Sequence, residues 1–150
     1  MLRPDPLFNL NRKVGLLRIN EVKIMKTSIL KKIIIVLSHA FMVWALCGAT
    51  IAIGRSFMSM ELTLIVHAIA APIFAALVSL DYYKKFNYTT PLQTAFIFLI
   101  FVIAMDAGLV APVFEKSYEM FGSILGTWAP FGLIFLSTFI TGLRFKKKEA

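Results

Sequence analysis

Four long apolar blocks, separated by short polar stretches, constrain this chain more than any other feature. They cover residues 33–53, 62–80, 92–113 and 120–143. At about 1.5 Å rise per residue, each block is long enough to cross a hydrocarbon core of roughly 30 Å as an α-helix. Because the apolar residues fill each block instead of following an amphipathic spacing, lipid is their expected solvent. The sequence therefore predicts an all-α integral membrane bundle of four transmembrane helices.

Composition excludes most soluble enzyme classes. The chain is 59% hydrophobic and 16% charged, which is too apolar for the surface of an ordinary soluble domain. The loops at 55–61, 81–91 and 114–119 leave no room for an extramembrane domain. No nucleotide-binding glycine loop, zinc-protease motif, serine-hydrolase motif or CxxC pair occurs in the sequence. We therefore expect no catalytic site in a loop.

The placement of the sixteen Lys and Arg residues predicts the orientation in the membrane. Eight precede the first block, two lie in loop 81–91 and four follow the last block, whereas the other two loops hold one each. Cytoplasmic flanks carry the excess of basic residues, so both termini are expected in the cytoplasm, with the chain in the plasma (inner) membrane. This distribution explains the net charge of +8 without a nucleic-acid partner.

The sequence divides into a basic cytoplasmic arm at 1–32, a membrane domain at 33–143 and a basic tail at 144–150. Met25 opens the stretch MKTSILKK, which is typical of a membrane-protein start, so residues 1–24 are either part of the arm or an over-extended start. A cleaved signal peptide ending near Cys47 is a further alternative. It is disfavoured because the apolar run continues past that position.

Asp106 and His67 are the main candidates for an ion or proton site. A carboxylate well inside a span costs about 2.5 to 3.5 kcal/mol on insertion scales and should face protein or water. The residues three and four positions from Asp106 on its own helix are apolar, so its partner must come from another helix. His67 is predicted at a similar depth on span two, where the pair could share a proton or hold a cation. The alternative is a structural role for both residues.

Three further polar residues complete the candidate set. Glu115 and Glu119 would share a helical face if the helix continued, and would then form an acidic mouth above Asp106. His39 is predicted near the inner end of span one, as a second polar site that does not meet His67. This separation disfavours a haem held by both histidines. No cofactor is predicted, and the sequence leaves open whether a metal is bound.

Small residues predict how the helices pack, because close backbone approach drives association in lipid. Span four contains a GxxxG pattern at Gly122 and Gly126, and span two places Ala68, Pro72 and Ala76 four residues apart. We expect these positions to lie at helix–helix contacts.

Three functions fit this pattern. The first is a non-catalytic accessory or oligomer-forming membrane subunit, working as a homo-oligomer or with a membrane partner in the lipid bilayer. The second is a proton-coupled or cation transporter or channel that uses Asp106 and His67. The third is a haem or quinone redox membrane protein, which rests on the two histidines alone.

Overall fold

The computed structural model describes residues 6–146, and side chains at 15–18 and 21–145. This part of the chain contains helices and no strand. The four α-helices are α1 (Pro6–Phe57), α2 (Met60–Lys85), α3 (Pro91–Met105) and α4 (Ala129–Lys146). Four helical stretches within it are long and apolar enough to cross a membrane: Gly15–Phe57, Met60–Lys85, Pro91–Glu115 and Ile124–Phe145. The all-α four-helix fold predicted from the apolar blocks is confirmed.

The chain forms two compact units, Met1–Ile35 and Val36–Ala150. In the first unit the chain is helical from Pro6 onward, and the described side chains before Ile35 are exposed. The arm predicted at 1–32 is thus helical over its described part, whereas its boundary at residue 32 stays a prediction.

Within the second unit, α1 turns one narrow face toward the bundle. Its buried residues recur at helical spacing: Val36, His39, Ala40, Val43, Cys47 and Gly54. Residues three and four apart lie on one side of a helix, so this set forms a continuous stripe. Large apolar residues elsewhere on the helix, such as Phe41 and Ile53, are exposed. An apolar outer surface of this kind suits a lipid solvent.

Helix α4 packs against both α2 and α3. On α2 the buried face is built from small residues, including Ala68, Ala71 and Ala75, while Pro72 and Ala76 are partly buried beside it. A hydrogen bond crosses this contact, because the Ser137 hydroxyl donates to the Pro72 carbonyl oxygen at 2.7 Å. Such interhelical bonds together with small residues are the usual means of helix association in lipid.

The helix starts are fixed by local capping. The Ser59 side chain accepts a hydrogen bond from the Leu62 amide at the start of α2. At the start of α3, Thr90 and Gln93 form a reciprocal capping box, and Pro91 occupies the first turn. These side chains satisfy amide donors that the helix itself leaves unpaired. These caps fix the residues at which the two preceding loops end and helices α2 and α3 begin.

The third span continues beyond α3 as a π-helical segment, Asp106–Glu115. It ends at Lys116, whose backbone is left-handed with φ 53°. A four-residue 3₁₀ turn, Glu119–Gly122, follows, and a second π-helical segment, Ile124–Trp128, leads into α4. The fourth span therefore begins about one turn later than the predicted start at residue 120.

This interruption separates the two glycines of the GxxxG pattern in span four. Ser123 is extended, with φ −87° and ψ 118°, so Gly122 and Gly126 do not share a helical face. A methyl group added at Gly126 would lie 3.3 Å from the Leu64 side chain on α2, whereas nothing lies within 4 Å of one added at Gly122. Only Gly126 of this pair is at a helix–helix contact.

Candidate ligand cavity

A cavity of about 440 Å³ lies inside the second unit. Its walls come from α1, α2, α3, the π-helical segment that follows α3, the stretch that leads into α4, and the start of α4. Most of its lining is apolar and includes Val102, Phe131 and Ile134. Its polar lining is Trp44, Arg55, His67, Asp106 and Glu115. Ligand sites in proteins commonly have this size and this mixture of an apolar wall with a few polar groups.

Asp106 is held in the cavity wall by a partner from α1. The Trp44 indole Nε1–H donates to Asp106 Oδ1 at 2.9 Å. Asp106 begins the π-helical segment, and its own amide bonds back to carbonyl oxygens of α3. The wider turn of a π-helix is often found at functional positions. The requirement for a partner on another helix, set by the apolar neighbours of Asp106, is met by Trp44.

His67 lines the same cavity from α2 and is only 5% exposed. Its Nδ1 atom is buried and has no hydrogen-bond partner among the described residues. A buried acceptor without a partner is tolerated better than a buried N–H donor without one. The neutral tautomer with its hydrogen on Nε2 therefore fits this environment, and Nε2–H is the group left to meet a ligand.

The structure brings His67 and Asp106 to one cavity but shows no hydrogen bond between them; the bond recorded for Asp106 is the one from Trp44. Sequence reasoning missed Trp44, which lies 62 residues from Asp106 in the chain. The signal available was that Trp44 carries one of the few N–H donors in span one.

An ion pair lies at the loop end of the cavity. Arg55, near the end of α1, pairs with Glu115 at the end of the π-helical segment, and both line the cavity. Glu119 is exposed and is not part of the lining. Glu115 and Glu119 therefore do not share a helical face, because the left-handed Lys116 ends the helix between them. Glu115 is paired with Arg55, so an acidic mouth made of both residues stays a prediction.

His39 does not line the cavity. Its Nε2 lies 3.5 Å from Asp81 Oδ2, and Lys85 Nζ pairs with Oδ1 of the same carboxylate at 2.7 Å. The His39 ring also makes edge contacts with Tyr82 and Phe86. Asp81 lies fourteen residues beyond His67 on α2, or about 21 Å along the helix axis. One haem iron cannot join histidines at these two levels.

The chain has no match among protein-family models, curated proteins or solved structures. In the described part of the chain, no group of three or more His, Cys, Asp and Glu side chains is arranged to hold a metal ion.

Proposed function

We propose that this protein is a non-catalytic subunit of the plasma (inner) membrane that binds a small molecule inside its helical bundle. Both termini would lie in the cytoplasm, as the basic flanks predict. The observation that carries the proposal is the cavity of about 440 Å³, in which an apolar wall surrounds Asp106 and His67. A partly buried carboxyl group and a buried imidazole are costly in a membrane span, and a ligand that engages them would offset that cost.

The proposed role is binding and not catalysis for a chemical reason. The Asp106 carboxylate is bonded to Trp44, and the cavity lining holds no hydroxyl that a base could activate and only Cys47 as a thiol. Cys47 is a buried member of the helix-packing stripe, and a thiol in apolar surroundings is unreactive. Positioned groups suited to recognition are present, whereas an activated nucleophile is not.

Filling the cavity tests this proposal. Gly48 lines the cavity, and a methyl group added there has nothing within 4 Å. Gly48→Leu should therefore occupy the cavity without a clash at the backbone and displace a bound molecule. The control is Gly132→Leu, because Gly132 is equally open but faces outward from α4, outside the cavity lining.

The measurement is native mass spectrometry of protein extracted from its host in mild detergent. We expect a small-molecule mass on the unmodified protein and on the Gly132→Leu variant, and its loss from Gly48→Leu. The same spectra count the chains in the complex and detect any partner polypeptide. A bare mass for all three proteins would contradict the binding role.

A proton-coupled or cation transporter is the second candidate. It is favoured by one observation, the presence of both Asp106 and His67 in the wall of the same cavity. Ionisable residues inside membrane spans commonly mark proton or ion pathways. Binding is preferred because Asp106 is already engaged by Trp44 and the cavity is largely apolar.

A further inference from the structure

The charges that line the cavity are not balanced. Arg55 is paired with Glu115, so neither presents a free charge. His67 is expected to be neutral, because its buried Nδ1 has no acceptor to meet a second proton. Among the described lining residues, Asp106 is left as the one acidic group without a basic partner. The cavity therefore offers one acidic group within apolar walls, and a positive ligand group beside it would stabilise its carboxylate form.

Only one of the two oxygen atoms of the Asp106 side chain accepts a hydrogen bond from a described residue. Trp44 donates to Oδ1, and no donor among the described residues reaches Oδ2. A carboxylate has about four acceptor positions, so a ligand with N–H groups can bond to Oδ2 without displacing Trp44. A charged donor would form the stronger, charge-assisted kind of hydrogen bond, and the low local dielectric would strengthen it further.

Aromatic rings line the same space. Trp44, Phe114 and Phe131 all contribute to the wall. The faces of aromatic rings attract cations, and tryptophan does so most strongly. An anionic ligand in this cavity would be repelled by the Asp106 carboxylate. Together with the aliphatic lining, the rings suit a molecule that has an apolar body and a positive head.

We infer that the cavity binds an apolar molecule bearing a protonated amine, whose ammonium group pairs with Asp106 beside Trp44 while its apolar body contacts Val102, Phe131 and Ile134. This inference rests on the proposed binding function and specifies its ligand class. His67 Nε2–H then serves a hydrogen-bond acceptor elsewhere on the ligand, such as a hydroxyl or carbonyl oxygen.

Three probes with the same eight-carbon tail test the head group: octylammonium, octanol and octanoate. The protein is reconstituted in nanodiscs as a Trp128→Phe variant, which leaves Trp44 as the sole tryptophan and reports on the cavity by its fluorescence. Asp106→Asn removes the charge but keeps an acceptor for Trp44. Glu119→Gln is the matched control, since it removes a carboxylate that is exposed and outside the cavity.

We expect octylammonium to change the Trp44 fluorescence saturably and to bind at least about tenfold more weakly to Asp106→Asn, with no change for Glu119→Gln. Octanol should bind both forms alike, and octanoate should bind poorly. Saturable octanol or octanoate binding that exceeds octylammonium binding, or no effect of Asp106→Asn, would overturn the ammonium inference and leave the binding function standing. If no probe binds and the protein also carries no native ligand, the binding function itself fails.

Discussion

At the scale of single residues, Asp106 and Glu115 are the two acidic groups among the described residues that line the cavity. Glu115 has an ionic partner, and Asp81 has Lys85 four residues away on its own helix. Asp106 receives one neutral N–H from Trp44. The binding and transport hypotheses therefore make different predictions for a substitution of Asp106.

Asp106→Asn decides between these two hypotheses. If the protein were a proton-coupled transporter, protein-dependent proton flux into vesicles with an imposed pH gradient would fall to the protein-free background in this variant, because an amide cannot carry the proton. For a binding subunit we expect no flux above background in either form. The measurement is the quenching of a pH-sensitive dye inside the vesicles. Flux in the unmodified protein that Glu119→Gln preserves and Asp106→Asn abolishes would replace the binding proposal with transport.

At the scale of the helices, side chains of α2 and α3 closely approach a glycine near the end of α4. A methyl group added to Gly142 would lie 2.6 Å from Tyr83 Oη and 2.7 Å from the Pro91 Cβ atom. Tyr83 also stacks on Phe145 of α4, with ring centroids 5.9 Å apart. The contact of α4 with the ends of α2 and α3 therefore requires glycine at this position.

Gly142→Ala should destabilise the bundle by about 1 to 3 kcal/mol, the usual cost of overpacking a well-filled contact. Gly132→Ala, on the same helix but with nothing within 4 Å of the added group, should be neutral or slightly stabilising. Unfolding in a titration with a denaturing detergent, followed by circular dichroism, compares the two variants. Equal stabilities would show that the close approach at Gly142 is relieved without cost.

At the scale of the whole molecule, the orientation in the membrane is the main prediction. Single cysteines replace Lys84 and Glu119, which are both exposed, in a chain whose own cysteine has been changed by Cys47→Ala. With both termini cytoplasmic, a membrane-impermeant maleimide should label Glu119→Cys in intact cells, but Lys84→Cys only after the membrane is opened. The reverse labelling pattern would place the termini outside.

The sequence alone determined that this chain forms four membrane-length helices, because a block of about 20 residues that is almost wholly apolar has few other stable environments. Capping at Ser59 and Thr90 is equally local, since it depends on residues three positions apart. It also followed from the sequence that Asp106 needs a partner from another helix, because its own helix offers none.

Only the tertiary structure decided which groups meet. The Trp44–Asp106 bond, the Arg55–Glu115 pair and the placement of His39 beside Asp81 depend on the rotation and relative depth of neighbouring helices. Apolar blocks fix neither, because lipid accepts every face of such a helix equally well. The left-handed turn at Lys116 likewise decided that Glu119 lies outside the cavity while Glu115 lines it.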